Sequence, residues 1–346
     1  MLTLKEVRIA DVAKRAGVSA GTVSNALNGR PGVSAQQADR IRLIAREMGY
    51  PLPEDREDSR KNCIRLLIFK SHGLVVMDTQ FFAELFEGIQ EGCKEAGMEL
   101  VVTNIHKGRE ENYLERIAAV KEERCAGILL LGTEMEREDL KLFTPCNSPL
   151  VVMDNLFFEE DVHSIVMNNF EAGRMAAEHL VMAGHKRMGC ITGSAVLNNM
   201  SERQKGFFAA LKAHGITMEE DDCYAVTPTM EGARRDLLHQ TRGKTLPTAF
   251  FAANDIIAMG AMMAFREKGI RVPEDVSIIG MDDLDLCLVT SPQLTTIHVH
   301  RKEMGRSAVR MLLHSASPAR KGCYLKSQLS VALRERGSVK HMEQKE

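Results

Sequence analysis

Two short amphipathic helices hinged on a glycine, encoded in Val7-Arg-Ile-Ala-Asp-Val-Ala-Lys-Arg-Ala-Gly-Val-Ser-Ala-Gly-Thr-Val-Ser-Asn-Ala-Leu-Asn28, constrain this chain more than any other stretch. Ile9, Val12, Ala13 and Ala16 recur at i, i+3, i+4 and i+7, which gives the first helix one apolar stripe. Gly17 suits the left-handed residue that ends a helix, Val18 plugs the turn, and Ser19 is placed to cap the next helix. Val23 and Leu27 bury that second helix, leaving Ala20, Gly21, Ser24 and Asn25 on a face small and polar enough for a major groove. An ordinary helical hairpin shares the pattern, and a third helix separates the two readings. Ser34-x-x-Gln37 forms a capping box before Ala38, Ile41, Ala45 and Met48, and Gly49-Tyr50-Pro51 stops that helix.

Residues 1–50 therefore read as a three-helix domain of helix-turn-helix type. They hold eight Lys/Arg against four acids, a net charge of +4 in a chain of −2, so the remainder carries −6. A basic head on an acidic body fits phosphate contact, although a solvated basic helix face explains any single residue equally well. The residues expected at the nucleic acid are Arg8, Ser19, Ala20, Gly21, Thr22, Ser24, Asn25, Asn28 and Ser34.

The 346-residue chain has room for two further domains. No apolar run reaches transmembrane length and no signal-peptide core opens the sequence, so a cytoplasmic location is expected. The eight cysteines are scattered singly and no Cys/His cluster has metal-ligand spacing, so neither a zinc site nor a disulfide framework is signalled. They read as small core residues.

After a linker at 51–62, apolar runs at 64–69, 100–103, 127–131 and 150–153 alternate with helical stretches, and the rhythm repeats at 187–192, 225–227, 248–252 and 276–280. The expected fold is α/β: the helix-turn-helix domain, then a two-lobed core with two parallel, doubly wound sheets. The first lobe is expected to comprise 63–163 and 293–320, the second 164–292 and 321–340, with 341–346 as a tail. Ligands bind such sheets beyond the carboxyl ends of their strands, so the cleft between the lobes is the default site.

Arg203, Asn254 and Asp282 each follow a predicted strand, and together offer a guanidinium fork, an amide and a carboxylate for vicinal hydroxyls. Local roles compete: Arg203 with Glu202, Asn254 as cap of the helix from Ile256, Asp282 in a turn. Asp255 reads as structural. Asp78, Phe81 and Phe82 follow the first strand, but Phe82 shares a core stripe with Leu85, Phe86, Ile89 and Cys93. Asp154 ends the fourth strand, where a turn role competes. Lys70 ends the first strand, where it either attracts an anion such as a phosphate or snorkels to solvent.

The chain resembles regulators of the LacI/GalR family along nearly its whole length. The resemblance is carried by Ile9-Ala-Asp-Val-Ala-Lys-Arg-Ala-Gly-Val-Ser19, Thr22-Val-Ser24, Asn168-Asn-Phe-Glu-Ala-Gly173, His179-Leu180, Ala183-Gly-His185, Arg203-Gln-Lys-Gly-Phe207, Ala253-Asn-Asp255, Val276-Ser-Ile-Ile-Gly-Met-Asp-Asp283 and Ser291-Pro-Gln-Leu-Thr-Thr-Ile297. It implies a homodimer whose paired heads bind a pseudo-palindromic operator, and a periplasmic-binding-protein-like core that senses a small molecule. It also favours ligand contact by Arg203, Asp282 and Asn254 and by the pair Phe81 and Phe82. A sugar-like effector is expected, the alternative being a phosphorylated metabolite or a protein co-effector. No cofactor is expected, and the enzyme motifs G-x-x-x-x-G-K-[ST], G-x-G-x-x-G and G-x-S-x-G are missing. A transport binding protein shares the core but carries no such head.

Two departures from the family stand out. Ala20-Gly21 occupies a position where a Tyr-Gln pair is common, and Asn25 one where Arg is common. Asn25 is suited to adenine and Ala20 to a thymine methyl, so A·T pairs are expected opposite Asn25. The run Tyr50-Pro-Leu-Pro-Glu-Asp-Arg-Glu-Asp-Ser-Arg-Lys61 lacks the family's minor-groove Leu and holds two prolines and four acids, so weak or absent hinge folding is expected. The segment after Ser338 has no leucine heptads, so a dimer is expected rather than a coiled-coil tetramer.

Overall fold

The computed structural model describes residues 7–28, 30–50, 62–76, 80–195, 197–315 and 322–342. Asp78 and the linker stretch 51–61 lie outside the described residues, and so do the expectations placed on them.

The head holds α1 (Ile9–Ala16), α2 (Ala20–Leu27) and α3 (Ala35–Glu47). Gly17 takes φ 71° at the end of α1, the left-handed conformation that a side chain would strain. The Ser19 hydroxyl accepts from the Thr22 amide at 3.0 Å and that of Ser34 from the Gln37 amide at 3.3 Å, so both helices after the turn are capped. Val12, Val23, Ile41 and Ala45 are buried together, with Ala13, Ala26, Leu27 and Ala38 around them. Ile9, Ala16 and Met48 pack only at the rim of that core.

The body has two lobes, each a six-stranded sheet. The elements of the first part of the chain are β1 (Cys63–Lys70), α4 (Gln80–Glu95), β2 (Glu99–His106), α5 (Tyr113–Glu122), β3 (Gly127–Leu131), α6 (Arg137–Phe143), β4 (Leu150–Met153) and β5 (His163–Met167). The second part runs α7 (Asn169–Met182), β6 (Met188–Gly193), α8 (Asn198–Ala213), β7 (Cys223–Val226), α9 (Met230–Gln240), β8 (Ala249–Ala252), α10 (Asp255–Glu267) and β9 (Ser277–Asp282). The chain then ends with β10 (Thr295–Val299), α11 (Arg301–Ser315), β11 (Lys326–Leu329) and β12 (Val331–Arg334). The first sheet has the order β11-β5-β4-β3-β1-β2 and the second β12-β10-β9-β8-β6-β7. β3 and β8 are buried along their whole length, which is why they read as unbroken apolar runs.

This topology corrects the expected segment assignment. β10 joins the second sheet, beside β9, although it falls in the stretch 293–320 expected in the first lobe. β11 pairs with β5 in the first sheet, although 321–340 was expected in the second. β12 is antiparallel to β10, so the second sheet is not wholly parallel. The chain thus passes between lobes three times, after β5, β10 and β11. β5, β10 and β11 escaped the sequence reading because they are short and carry His163, Ser164, Thr295, Thr296, His298 and Lys326 within their runs, and β12, Val-Ala-Leu-Arg, because it is only four residues long.

Two close helix pairs, α7 with α8 and α4 with α11, each contribute one helix, α8 and α4, to the lining of the cleft. α7 and α8 meet at Gly173 and Gly206, where a Cβ would fall 1.8 Å from the Arg203 carbonyl oxygen and 1.9 Å from that of Phe170. This backbone-to-backbone approach fixes the depth at which α8 carries Arg203. α4 and α11 make a similar approach in the first lobe, where a Cβ on Gly88 would fall 1.9 Å from the Lys302 carbonyl oxygen. Among the cysteines Cys63, Cys93, Cys190 and Cys287 are buried, Cys125, Cys146 and Cys223 are half-buried, and Cys323 is exposed, against the expectation that all are core residues. No described helix is long and apolar enough to cross a membrane.

Candidate functional site

A cavity of about 230 Å³ lies between the two lobes of the body, and Phe81, Phe82, Asp154, Arg203, Asn254 and Asp282 all line it. Arg203 stands in the second turn of α8 rather than directly after a strand, a correction to the sequence reading. It is 4% exposed; its Nε donates to Asn169 Oδ1 at 2.8 Å and its Nη1 to the Ala253 carbonyl at 2.6 Å. Its Nη2 lies 3.7 Å from Asp282 Oδ1, too far for a hydrogen bond. Glu202 is engaged by Lys205 at 2.7 Å.

Asp282 closes β9 with φ 120°, and Asp154 follows β4 with φ 58°. Such backbone costs of order 1–3 kcal/mol and persists where its surroundings over-determine it. Each lobe thus turns one carboxylate into the cavity from a strained residue at a strand end. Asp154 is buried and accepts from the Thr133 hydroxyl at 2.7 Å, while burial pushes its carboxyl up, against the pull of Thr133 and Arg203. Asp282 Oδ1 is buried and has no hydrogen-bond partner among the described residues. Burial pushes the Asp282 carboxyl up to about 7; Arg203 works against this and Asp255 adds to it.

Asn254 does cap α10, its Oδ1 accepting from the Ile257 amide at 2.9 Å, and lines the cavity as well. Asp255 is structural in the manner expected: fully buried, it accepts from Thr296 Oγ1 at 2.6 Å and the Leu284 amide at 3.0 Å. Phe81 and Phe82 are 7% and 5% exposed and meet edge to face at 5.0 Å, so they serve core and cavity wall together. Lys70 is not among the cavity-lining residues.

Sequence reasoning missed Glu134. Its carboxylate, fully buried, accepts the amides of Ser71, His72 and Gly73 on Oε2 and of Val75 and Val76 on Oε1, at 2.8–3.1 Å. Burial alone would raise its carboxyl, but the amides of Val76, Val75 and Gly73, together with His72, hold it below the ordinary range. Glu134 thereby shapes the loop after β1, which contributes Leu74 and Val75 to the cavity. In the sequence it is one acid among several in Glu134-Met-Glu-Arg-Glu-Asp139, and nothing there marks it out.

In the head, Ala20 and Gly21 are exposed and Ser24 and Asn25 half-buried. Ser19 and Thr22 share a hydroxyl hydrogen bond of 2.9 Å, and the Asn28 amide donates back to the Ser24 carbonyl at 2.8 Å. Arg8 starts α1 with its amide on Asp11 Oδ2 at 2.8 Å, and its side chain is exposed. The described residues contain no group of three His, Cys, Asp or Glu able to hold a metal ion.

A helix-turn-helix head followed by a two-lobed core around a largely apolar cleft with a few convergent polar groups defines a ligand-responsive DNA-binding regulator. Residues 8–51 match the bacterial regulatory proteins of the lacI family, and 177–339 a periplasmic binding protein-like domain. The HTH-type transcriptional repressor PurR of Pectobacterium carotovorum subsp. carotovorum (strain PC1) is 34% identical over 337 residues, 96% of each chain. Among solved structures, the transcriptional regulator CelR–cellobiose complex superposes with a TM-score of 0.71 at 25% identity, covering 96% of this chain and 99% of that one. The lac repressor dimer bound to operator and the anti-inducer ONPF shares the fold, with a TM-score of 0.71 at 23% identity over 97% of this chain and 100% of that one. The chain belongs to the LacI family of transcriptional regulators, whose repressors bind operator DNA and small-molecule effectors. Its relatives are repressors and not enzymes.

Proposed function

We propose that this regulator binds a neutral, polyhydroxylated effector of sugar type in the interlobe cleft and that occupancy there resets its affinity for a pseudo-palindromic operator. The observation that carries this reading is the approach of the Asp282 carboxyl to Arg203, with Oδ1 3.7 Å from Nη2 and without a hydrogen-bond partner among the described residues. One hydroxyl donates to the carboxylate while its neighbour accepts from the guanidinium, and a vicinal diol supplies both. Asn254 and Asp154 add polar contacts, and Phe81 and Phe82 offer a wall for the apolar face of a ring. A phosphorylated effector fits less well: among the described residues the cavity is lined by two carboxyl groups against one guanidinium already bonded twice, and Lys70 does not line it.

The protein acts as a homodimer in the cytoplasm, where its operator is, with Ala20, Gly21 and Asn25 at the base edges and Arg8, Ser19, Thr22, Ser24, Asn28 and Ser34 fixing the helices and their register on the backbone. The test is a thermal-shift screen of the full chain against neutral sugars, sugar phosphates and purines. A true effector at 100 times its dissociation constant stabilises the fold by about 2.7 kcal/mol. Neutral sugars are expected to give that shift in the wild type and none in Arg203→Met; a response to sugar phosphates alone would overturn the reading.

A further inference from the structure

Arg301, the first residue of α11, is 4% exposed and spends its guanidinium on both lobes at once. Toward the second lobe, Nη1 donates to the carbonyl of Asp282, and Nη1 and Nη2 each reach that of Asp283 at 3.4 Å. Toward the first lobe, Nε donates to Glu84 Oε2 at 3.0 Å and Nη2 to Glu84 Oε1 at 3.1 Å. Glu84 stands on α4, one turn beyond Phe81 and Phe82. A second strap runs alongside, because the Asp285 amide donates to Gln80 Oε1 at 2.7 Å and Gln80 Nε2 donates to Glu84 Oε1 at 2.7 Å.

The turn that Arg301 holds is the one with consecutive positive φ values, 120° at Asp282 and 56° at Asp283. The side chain of Asp283 is anchored separately, by Arg336 at 2.6 Å and His298 at 2.9 Å. With the Asp283 carboxylate and both carbonyls engaged, the Asp282 carboxylate is the group of this turn left to face the cavity. It is met there by Arg203 from α8, with Asp255 of α10 and Asp154 after β4 as its acidic neighbours.

We propose that Arg301 is a positioning residue for effector recognition: it locks the strained turn that aims Asp282 into the cleft and ties that turn to α4, the helix that presents the aromatic wall. One guanidinium thereby keeps the two ligand-facing surfaces, one from each lobe, in fixed relation. The proposal rests on the reading of Asp282 as an effector contact, but its mechanical part is measurable without any ligand.

The test is amide hydrogen exchange on the full-length, ligand-free protein, comparing wild type with Arg301→Lys and with the milder Glu84→Gln. Lysine keeps the charge but cannot bridge two carbonyls and a carboxylate. The tie predicts exchange about tenfold faster or more in Arg301→Lys at both 282–287 and 80–86, with the sheet segments 188–193 and 249–252 unchanged, and a smaller rise at both sites in Glu84→Gln. Faster exchange on one side only, no change, or a uniform rise across all segments would each overturn it. In parallel, ribose, glucose and cellobiose are titrated by thermal shift, and whichever binds wild type is expected to bind Arg301→Lys at least tenfold more weakly. If no sugar binds wild type, the sugar reading of the cleft fails while the exchange result still decides the role of Arg301.

Discussion

Replacing Asp282 by Asn removes a charge without changing shape, and the structure fixes what should follow. Burial pushes the Asp282 carboxyl up to about 7; the residue lines the cavity, and its Oδ1 is buried without a partner among the described residues. A hydroxyl donor is held more strongly by the ionised carboxylate than by the neutral acid, so effector binding favours release of the proton that the ligand-free carboxyl retains below that value. Affinity should then be constant above pH 8 and fall tenfold per pH unit below 7, each unit being about 1.4 kcal/mol. At pH 5 the effector should bind about 100-fold more weakly than on the plateau, a loss of about 2.7 kcal/mol. Asp282→Asn should abolish the slope and lower plateau affinity by about 1.5–3 kcal/mol, the range of one hydrogen bond to a charged group. Calorimetric titration at pH 6 in buffers of different ionisation enthalpy counts the released protons directly. Close to one proton is expected for wild type and none for the variant. Proton release of zero in wild type, or equal release in both proteins, would refute the reasoning.

Three further outcomes follow from other parts of the molecule. Asn25→Ala should cost about 1–3 kcal/mol at one A·T position of the operator and little elsewhere, read by operator selection and binding; a uniform loss over all positions would remove Asn25 from base recognition. Glu134→Gln should leave at least one of the five loop amides without an acceptor and destabilise the fold by about 1–3 kcal/mol, measured by denaturant unfolding. Because those amides hold the Glu134 carboxyl below its ordinary range, its contribution is fully present above that range and should be lost only as pH falls through the depressed value. Gly173→Ala drives a Cβ into the Arg203 carbonyl, so it should destabilise by about 1–3 kcal/mol and weaken effector binding by moving α8.

The head was legible because short-range rules decide it: the stripe of Val12 and Ala13, the left-handed Gly17 and the caps Ser19 and Ser34 each act within a few residues. The cleft was legible in its chemistry, since Arg203, Asn254 and Asp282 could be named as a donor and acceptor set, and Asp154 as a separate candidate, that one cavity then brings together. Its mechanics were not. Glu134 and Arg301 look like surface charges in the sequence and gain meaning only from amides and carbonyls that the chain returns to them from distant segments. The crossings at β10 and β11 were hidden for a related reason: a short strand carrying Thr, His or Lys shows no periodicity, and only its partner strands say to which sheet it belongs. Asn254 shows that competing roles need not exclude each other, because a helix cap at a cleft spends one oxygen and keeps its amide nitrogen.

The central claim is that ligand held by Arg203 and Asp282 resets DNA binding, and fluorescence-anisotropy titration of operator DNA with and without effector tests it most directly. Wild type should change operator affinity tenfold or more when the effector found by thermal shift is saturating, while Arg203→Met should bind operator as ligand-free wild type does and ignore the effector. An effector response of full size in Arg203→Met would contradict the account.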